Sequence, residues 1–280
     1  MSQTDTALQD RVPEQAEVTG TERARRLRAV RTRAVVMAAR LVFVAAFLVL
    51  WQYADGRWIP DFISSSPERI GGRLVQLFAS GSVWPDLWIT LTELLVGYAL
   101  GVGIGFLLGL ALGLWGFLGD VFEPILSAVN AVPKIALAPL FLIWIGIGVW
   151  SKIAIAAMTV AFVMFYSTYV GAKTVPRNLV DVLRVMGARQ RTVVRRVVVP
   201  SIMGPIVTGL KTSVPFAMIG VIVGEFIAAD RGLGFFIRQA TEQYDSASMF
   251  AGVCILLVMV LAGNALLGVL QRRLFAWREQ

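Results

Sequence analysis

The chain has 280 residues, 57% of them hydrophobic, and its mean hydropathy of +0.71 is that of a membrane protein. It contains no histidine and one cysteine, Cys254, which excludes disulfide frameworks, Cys/His metal sites and histidine-based acid–base chemistry. The formal charge of +8 does not indicate a nucleic-acid partner, because the arginines cluster at the ends of apolar segments, where a topology signal lies.

Six apolar stretches have the length of about 20 residues that a bilayer core requires. We predict spans at 34–54, 88–113, 132–149, 152–172, 203–228 and 249–270. Lys and Arg are concentrated before the first span, between the fourth and fifth, and after the sixth. By the positive-inside rule, the sequence predicts an all-α membrane protein with six transmembrane helices and both termini in the cytoplasm.

Residues 1–33 differ in composition from the rest of the chain. They are polar and poor in aromatic residues, and they end in the basic run "RARRLRAVRTR". Such a segment cannot bury enough apolar surface to fold, so we predict a disordered cytoplasmic N-terminus at 1–33 and one transmembrane domain at 34–280.

A glycine stripe runs along the second span, with one glycine every four residues. Its members are Gly97, Gly101, Gly105, Gly109 and Gly113. A helix with small side chains on one face lets a neighbouring helix approach closely, which is where packing energy arises in lipid. The stripe therefore predicts a central helix of the bundle.

A charged segment, "DVLRVMGARQRTVVRRVVVPSI", separates the fourth and fifth spans. Within it, Leu179, Val182, Leu183 and Met186 fall on one face of a short helix, with Asp181 off that face. Gly187 is placed to end the helix in a left-handed conformation, and Pro200 to open the fifth span. Periodicity alone leaves two interpretations open: a helix that docks in a protein groove, or one that lies on the inner leaflet.

The spacing of this segment resembles the cytoplasmic signature of bacterial ABC importer permeases, E-A-A-x-x-x-G-x(9)-I-x-L-P. Asp181, Val182 and Leu183 stand at the E-A-A positions, Gly187 at the glycine and Pro200 at the proline. The runs "NAVPKIALAPLFLIWIGIGVWSKI" and "GVIVGEFIAADRGLGFFI" resemble the nitrate/sulfonate/taurine-type permeases, and the likeness covers 60–275.

The resemblance implies that 34–280 is an ABC importer type I transmembrane domain in the bacterial inner membrane. It implies a homodimer of permeases, two ATP-binding subunits that carry ATP and Mg²⁺, and an extracytoplasmic solute-binding protein. Residues 179–187 would be the helix that couples to the ATPase, with Asp181 as its polar contact. No cofactor and no catalytic residue are expected in this chain, and its non-protein surroundings are lipid rather than nucleic acid.

The solute implied by the resemblance is small and anionic, such as a sulfonate, nitrate or taurine; a vitamin precursor or aromatic acid is the alternative within the family. Polar groups inside spans are costly and suggest pathway or gate residues. These candidates are Lys211, Thr212, Pro215, Glu225, Asn130 and Asn264. Each has a structural alternative: Lys211 can extend its ammonium toward the interface, Glu225 can be an interfacial carboxylate, and the amides and hydroxyl can join helices.

Two other function classes stay in view. An autonomous secondary transporter or channel requires inverted repeats and an ion-coupling carboxylate at mid-depth, and we find no repeat. An intramembrane enzyme requires a nucleophile and a base, and Cys254 has no polar neighbour in sequence.

Overall fold

The computed structural model describes residues 35–57, 64–115 and 132–275, with single positions at 32 and between 117 and 128. These residues form helices and the turns that join them. The N-terminal segment 1–33, apart from Thr32, and the candidate Asn130 lie outside the described residues.

The chain divides into two compact units after Glu68. In the first unit, helix α1 (Val35–Ala54) exposes its apolar side chains along its length, as a span that faces hydrocarbon does. In the last turn of α1, the Trp51 indole N–H donates to the Ser64 hydroxyl at 3.3 Å. The Arg57 guanidinium lies 4.0 Å from the centre of the Tyr53 ring.

The helices that follow are, in chain order, α2 (Pro67–Ala79), α3 (Trp84–Leu114), α4 (Ala138–Ile145, preceded by the 3₁₀ turn Lys134–Leu137), α5 (Val149–Lys173), α6 (Arg177–Val185), α7 (Gln190–Ala228), α8 (Leu233–Glu242) and α9 (Ser246–Phe275). Among the described residues, five helices are long and apolar enough to cross a membrane: α1, α3, α5, α7 and α9. They correspond to the predicted first, second, fourth, fifth and sixth spans.

The predicted third span at 132–149 has a different form. It contains four residues of 3₁₀ helix and eight of α-helix, which together rise only about 20 Å against a bilayer core of about 30 Å. Gly146, with φ of 91°, ends α4 before α5 begins. The six-span count therefore stays a prediction.

The glycine stripe of α3 lies against α5. A Cβ added to Gly97 would lie 2.7 Å from the Ala156 Cβ, and one added to Gly113 would lie 2.5 Å from the Ala172 Cβ. At Gly101 the nearest atom is the carbonyl oxygen of Ala157, at 2.5 Å. The two backbones are therefore in direct contact, and any side chain on the stripe would force the helices apart.

Helix α5 packs against α7 on its other side in the same way. A Cβ at Gly220 would lie 2.7 Å from the Ala156 Cα, and one at Gly209 would lie 2.7 Å from the Ser167 Cβ. Two apolar clusters fill the space around α5, and their buried members are Leu94, Ala156, Val160, Ala217, Met218 and Val221 in one, and Met164, Ala172, Val193, Val198, Ile202 and Ile206 in the other. Helix α5 is thus the centre of the described bundle.

Helix α7 begins earlier than the predicted fifth span, at Gln190 rather than 203. The regular α-helical part of α7 begins at Val199 with Pro200 in its first turn, as predicted, and the helical turns Gln190–Val193 and Val194–Val198 precede it. The turn before it, Val194–Val198, has π-helical hydrogen bonding. A proline cannot donate to the carbonyl one turn earlier, and a local π turn can accommodate the backbone group that this leaves free.

Candidate functional site

Helix α6 is a short element with a firmly closed C-terminal end. The N–H of Gly187 donates to the Arg184 carbonyl and the N–H of Ala188 donates to the Leu183 carbonyl, both at 2.9 Å. Gly187 has φ of 76°, the left-handed conformation that these two bonds require. A Cβ at Gly187 would meet no atom within 4 Å, so its conformation, and not crowding, favours glycine there.

The apolar residues of α6 share one face, as periodicity predicts, but they do not all have the same surroundings. Leu183 is half-buried and packs with Val180 against the cluster that contains Val193 and Ile202 of α7. Leu183 therefore holds α6 to the bundle, and it does not belong to the exposed surface. The apolar residues that face the bundle and those that are exposed lie next to one another around the helix axis. The apolar face of α6 is therefore wider than that of an ordinary surface helix.

The outward apolar residues form what we call the α6 patch. Its members are Leu179, Val182, Val185 and Met186, exposed by 48%, 58%, 90% and 76%. Asp181 lies beside the patch and is exposed. The arginines that follow it are exposed as well: Arg184, Arg189, Arg191, Arg195 and Arg196. An apolar surface with a basic rim of this kind is typical of a contact with another macromolecule.

Helix α7 separates α6 from a second polar region. Its 39 residues rise about 58 Å, which is more than the hydrocarbon core of a bilayer. Helix α6 precedes its first residue and α8 follows its last. The α8 end of the bundle, here called the far end, is therefore at the opposite end of α7 from α6.

The candidate pathway residues that the structure describes lie at different depths on α7 and α9. On α7, Lys211 and Pro215 are half-buried and Thr212 is exposed. Lys211 forms no ion pair with the described residues. Near it, the Tyr98 hydroxyl of α3 donates to the Leu210 carbonyl at 2.8 Å. Asn264 is half-buried on α9, and its Oδ1 accepts no hydrogen bond from the described residues.

Glu225 is fully buried at the far end and does not reach the surface. Its Oε1 accepts a hydrogen bond from the Thr90 hydroxyl at 2.7 Å, and its Oε2 accepts one from the N–H of Gly234 at 2.6 Å. The sequence places Glu225 toward one end of the fifth span, and the structure buries it near the end of α7 that α8 follows. Its role as a gate residue stays a prediction.

Beside Glu225 lies a buried ion pair that the sequence analysis did not find. Oε1 of Glu93 on α3 is 2.6 Å from Nζ of Lys152 on α5, and the two side chains are 0% and 4% exposed. In the sequence, Lys152 lies between two predicted spans, as a residue of an exposed loop would. In the structure it belongs to α5 and is buried. The available signal was the presence of a carboxylate and an ammonium within two apolar segments, since isolated charges there are costly.

An apolar groove of about 760 Å³ lies along α3 and α5. Its lining residues include Leu100, Ile104, Leu108, Trp150 and Phe162. No charged group lines it, so it offers no recognition for a polar solute. Among the described residues no group of three or more Asp, Glu, Cys or His side chains is placed to hold a metal ion.

Comparisons with known proteins agree with this architecture. The family model described as "Binding-protein-dependent transport system inner membrane component" matches residues 101–276. The chain is 33% identical over 239 residues to the formylaminopyrimidine transport permease protein ThiX of Halalkalibacterium halodurans, covering 85% of this chain and 95% of that protein. It is 28% identical over 237 residues to the taurine transport system permease protein TauC of Escherichia coli, covering 83% and 86%.

Solved structures share the fold as well. One is a chain of the MetNI methionine ABC transporter in an inward-facing conformation, with a TM-score of 0.58 and 20% sequence identity. The match covers 68% of this chain and 97% of that chain.

Proposed function

Because the chain belongs to the family of binding-protein-dependent transport system inner membrane components, we propose that α6 couples its membrane helices to a separate ATPase. The chain is the permease component of an ABC importer and a multi-pass protein of the inner membrane. The observation that carries the proposal is the α6 patch, an exposed apolar surface on a helix that lies outside the membrane spans. Burying such a patch in a groove is favourable, and it would explain why the surface is kept apolar.

The packing of α6 suggests how movement would pass from the ATPase to the membrane. Leu183 and Val180 contact the cluster at the start of α7, while the patch is left free on the other side. A displacement of the docked helix would therefore push on α7 directly. We propose that this moves α7 together with the helices packed against it as one rigid body and so alternates access between the two sides. ATP and Mg²⁺ would bind to the partner ATPase, and this chain would perform no hydrolysis.

The assembly we propose contains two copies of this chain, two ATPases and one extracytoplasmic binding protein. The support within the chain is the polar side of α7, where Thr208 and Thr212 are exposed and Lys211 is half-buried. Polar side chains on a span are costly in hydrocarbon. A second copy that faces this side would enclose a pathway between the two α7 helices.

The solute is proposed to be small and anionic. Lys211 is a cation without an ion pair among the described residues, at a position where it can attract a sulfonate or carboxylate. The relative TauC is named for taurine, which supports this choice, while ThiX is named for formylaminopyrimidine, which supports a vitamin precursor instead. ATP-driven uptake by vesicles that contain the complete importer distinguishes the two. Lys211→Gln is expected to reduce taurine uptake, and an unchanged rate would show that Lys211 does not recognise the solute.

The coupling proposal is tested by removing apolar area from the α6 patch. We expect Val182→Ser combined with Met186→Ser to reduce co-purification of the cognate ATPase more than tenfold, because each buried side chain contributes about 1.5–3 kcal/mol. The matched control is Val75→Ser on α2, where a valine is 69% exposed away from α6. If the double variant retained the ATPase as well as the control does, α6 would not be the docking element.

A further inference from the structure

The first turn of α8 is held by side chains from two other helices. The N–H of Leu233 donates to the Thr90 hydroxyl oxygen at 2.8 Å, and the N–H of Gly234 donates to Glu225 at 2.6 Å. The N–H of Gly232, which precedes α8, donates to Oδ1 of Asp86 at 2.9 Å. The N–H groups at the start of a helix have no partner within it, and here all three find one on α3 or α7.

The three acceptors work as one unit, which we call the α8 latch: Asp86 and Thr90 of α3 and Glu225 of α7. The Thr90 hydroxyl accepts from α8 and donates to Glu225, so it connects all three helices through one oxygen. Thr90 and Glu225 are both fully buried. Water does not compete for these bonds, and each is costly to break because its groups would be left unpaired.

The two glycines of the "GLG" sequence are explained by the same contact. A Cβ at Gly232 would overlap the Glu225 carboxylate, and Gly232 has φ of 114°. A Cβ at Gly234 would lie 2.7 Å from the Glu225 Cβ. Glycine is thus required at both positions for the backbone to approach the carboxylate.

Beyond the other end of α8, the start of α9 is closed by Asp245 and is bonded to α2. The N–H of Ser248 donates to Asp245 at 3.0 Å, and Nε of Arg73 on α2 donates to the Ser248 hydroxyl at 2.7 Å. In the middle, Ile237 packs so closely on Gly252 of α9 that an added Cβ would lie 2.5 Å from it. Helix α8 therefore crosses from α3 and α7 to α9 and is anchored at each side.

We propose that Thr90 and Glu225 are positioning residues for transport, which make α8 a strap that joins α3, α7 and α9 into one block at the far end. This inference rests on the proposed function as an ATP-driven permease. A displacement of α6 moves the end of α7 that follows it in the chain. The far end can open or close as a unit only if α3 and α9 move together with α7. Helix α8 provides the connection that this requires. The ion pair of Glu93 and Lys152 lies close to the latch, since a Cβ added to Gly224, the residue before Glu225, would lie 2.9 Å from the Lys152 Cγ.

The latch itself is tested by hydrogen exchange on the full chain in nanodiscs, with no partner protein present. Thr90→Val removes the acceptor of Leu233, and we expect the amides of 232–234 to exchange about fivefold faster or more, the effect of losing one hydrogen bond. Thr92→Val is the matched control, because the Thr92 hydroxyl donates to the Trp88 carbonyl of its own helix. Equal exchange in the two variants would overturn the latch.

The positioning role is tested in the reconstituted importer by the number of solute molecules imported per ATP hydrolysed. We expect Thr90→Val to lower this ratio about fivefold or more while the ATPase stays bound, and Thr90→Ser, which keeps the hydroxyl, to restore it. An unchanged ratio with faster exchange would overturn the positioning role and leave the latch. No ATP-driven uptake by the unaltered protein would refute the proposed function, not the latch.

If Thr90→Val does not fold, Asp86→Ala replaces it. Asp86 is only half-buried and accepts one bond, from Gly232. The same two outcomes apply: faster exchange at 232 with a lower transport ratio supports the proposal, and no change in either measurement contradicts it.

Discussion

Oε1 of Glu93 lies 2.6 Å from Nζ of Lys152, and this buried contact joins α3 to α5 beside the α8 latch. Removing one member leaves the other charge without compensation in a dry interior. We expect Lys152→Met to lower the free energy of unfolding by about 3–5 kcal/mol, measured by SDS titration in mixed micelles. The double variant Glu93→Gln, Lys152→Met is expected to recover more than half of that loss. A Lys152→Met protein as stable as the unaltered one would show that the pair contributes nothing.

The close contact of α3 and α5 makes a prediction at Gly105. A Cβ there would meet backbone atoms of α5, the Ala161 carbonyl oxygen and the Phe165 nitrogen, which cannot move aside alone. We expect Gly105→Ala to cost about 1–3 kcal/mol in the same SDS titration, the usual effect of overpacking.

Gly103 is the control for this prediction, because it is on the same helix and an added Cβ would meet nothing within 4 Å. Gly103→Ala is expected to be neutral, or to stabilise by up to about 1 kcal/mol through helix propensity. Equal effects of the two alanines would mean that the stripe does not contact α5.

The left-handed conformation of Gly187 leads to a prediction about coupling. Asparagine tolerates this conformation, whereas a β-branched residue does not. We expect Gly187→Asn to keep ATP-driven uptake, and Gly187→Val to lose the closing turn of α6 and reduce uptake per bound ATPase several-fold. The measurement is uptake by vesicles, normalised to the amount of ATPase that co-purifies. Similar uptake by the two variants would show that the end of α6 is not needed in this form.

The charge of the Asp245 carboxylate makes the stability of the α8–α9 turn depend on pH. Partial burial opposes its charge, but hydrogen bonds from Ser248 and the charge of Arg73 together hold the pKa of Asp245 below its ordinary value of 3.8. A lowered pKa in the folded state means that the stabilisation is complete above the ordinary value and is lost as the pH falls through the folded value.

The variant Asp245→Asn tests whether this stabilisation is lost as the pH falls. We expect the variant to melt below the unaltered protein at pH 7, and the difference in Tm to shrink as the pH approaches 3. A difference that stays constant over this range would show that the charge of Asp245 has no part in the stability of the α8–α9 turn.

The features that the sequence predicted well depend on residues close together in the chain. The spacing of Gly97 and Gly101 defines a helix face by itself, and Gly187 ends α6 through bonds to residues only a few positions earlier. Helix α6 and most of the spans follow from such local patterns.

The features that it did not predict depend on contacts between distant segments. Nothing near Glu93 in sequence indicates Lys152, and nothing near Thr90 indicates that it receives the N–H of Leu233. Leu183 also lies on the predicted apolar face, but only the position of α7 decides that it points inward. Periodicity identifies apolar residues and cannot tell which neighbour will cover them.

Photo-crosslinking from the α6 patch in intact membranes is the most direct test of the account. A photoreactive amino acid at Met186, exposed by 76%, is expected to form an adduct with the ATPase, whereas one at the half-buried Leu183 is expected to react within the chain itself. An adduct of Met186 with lipid, and none with a protein, would contradict the claim that α6 couples this permease to its ATPase.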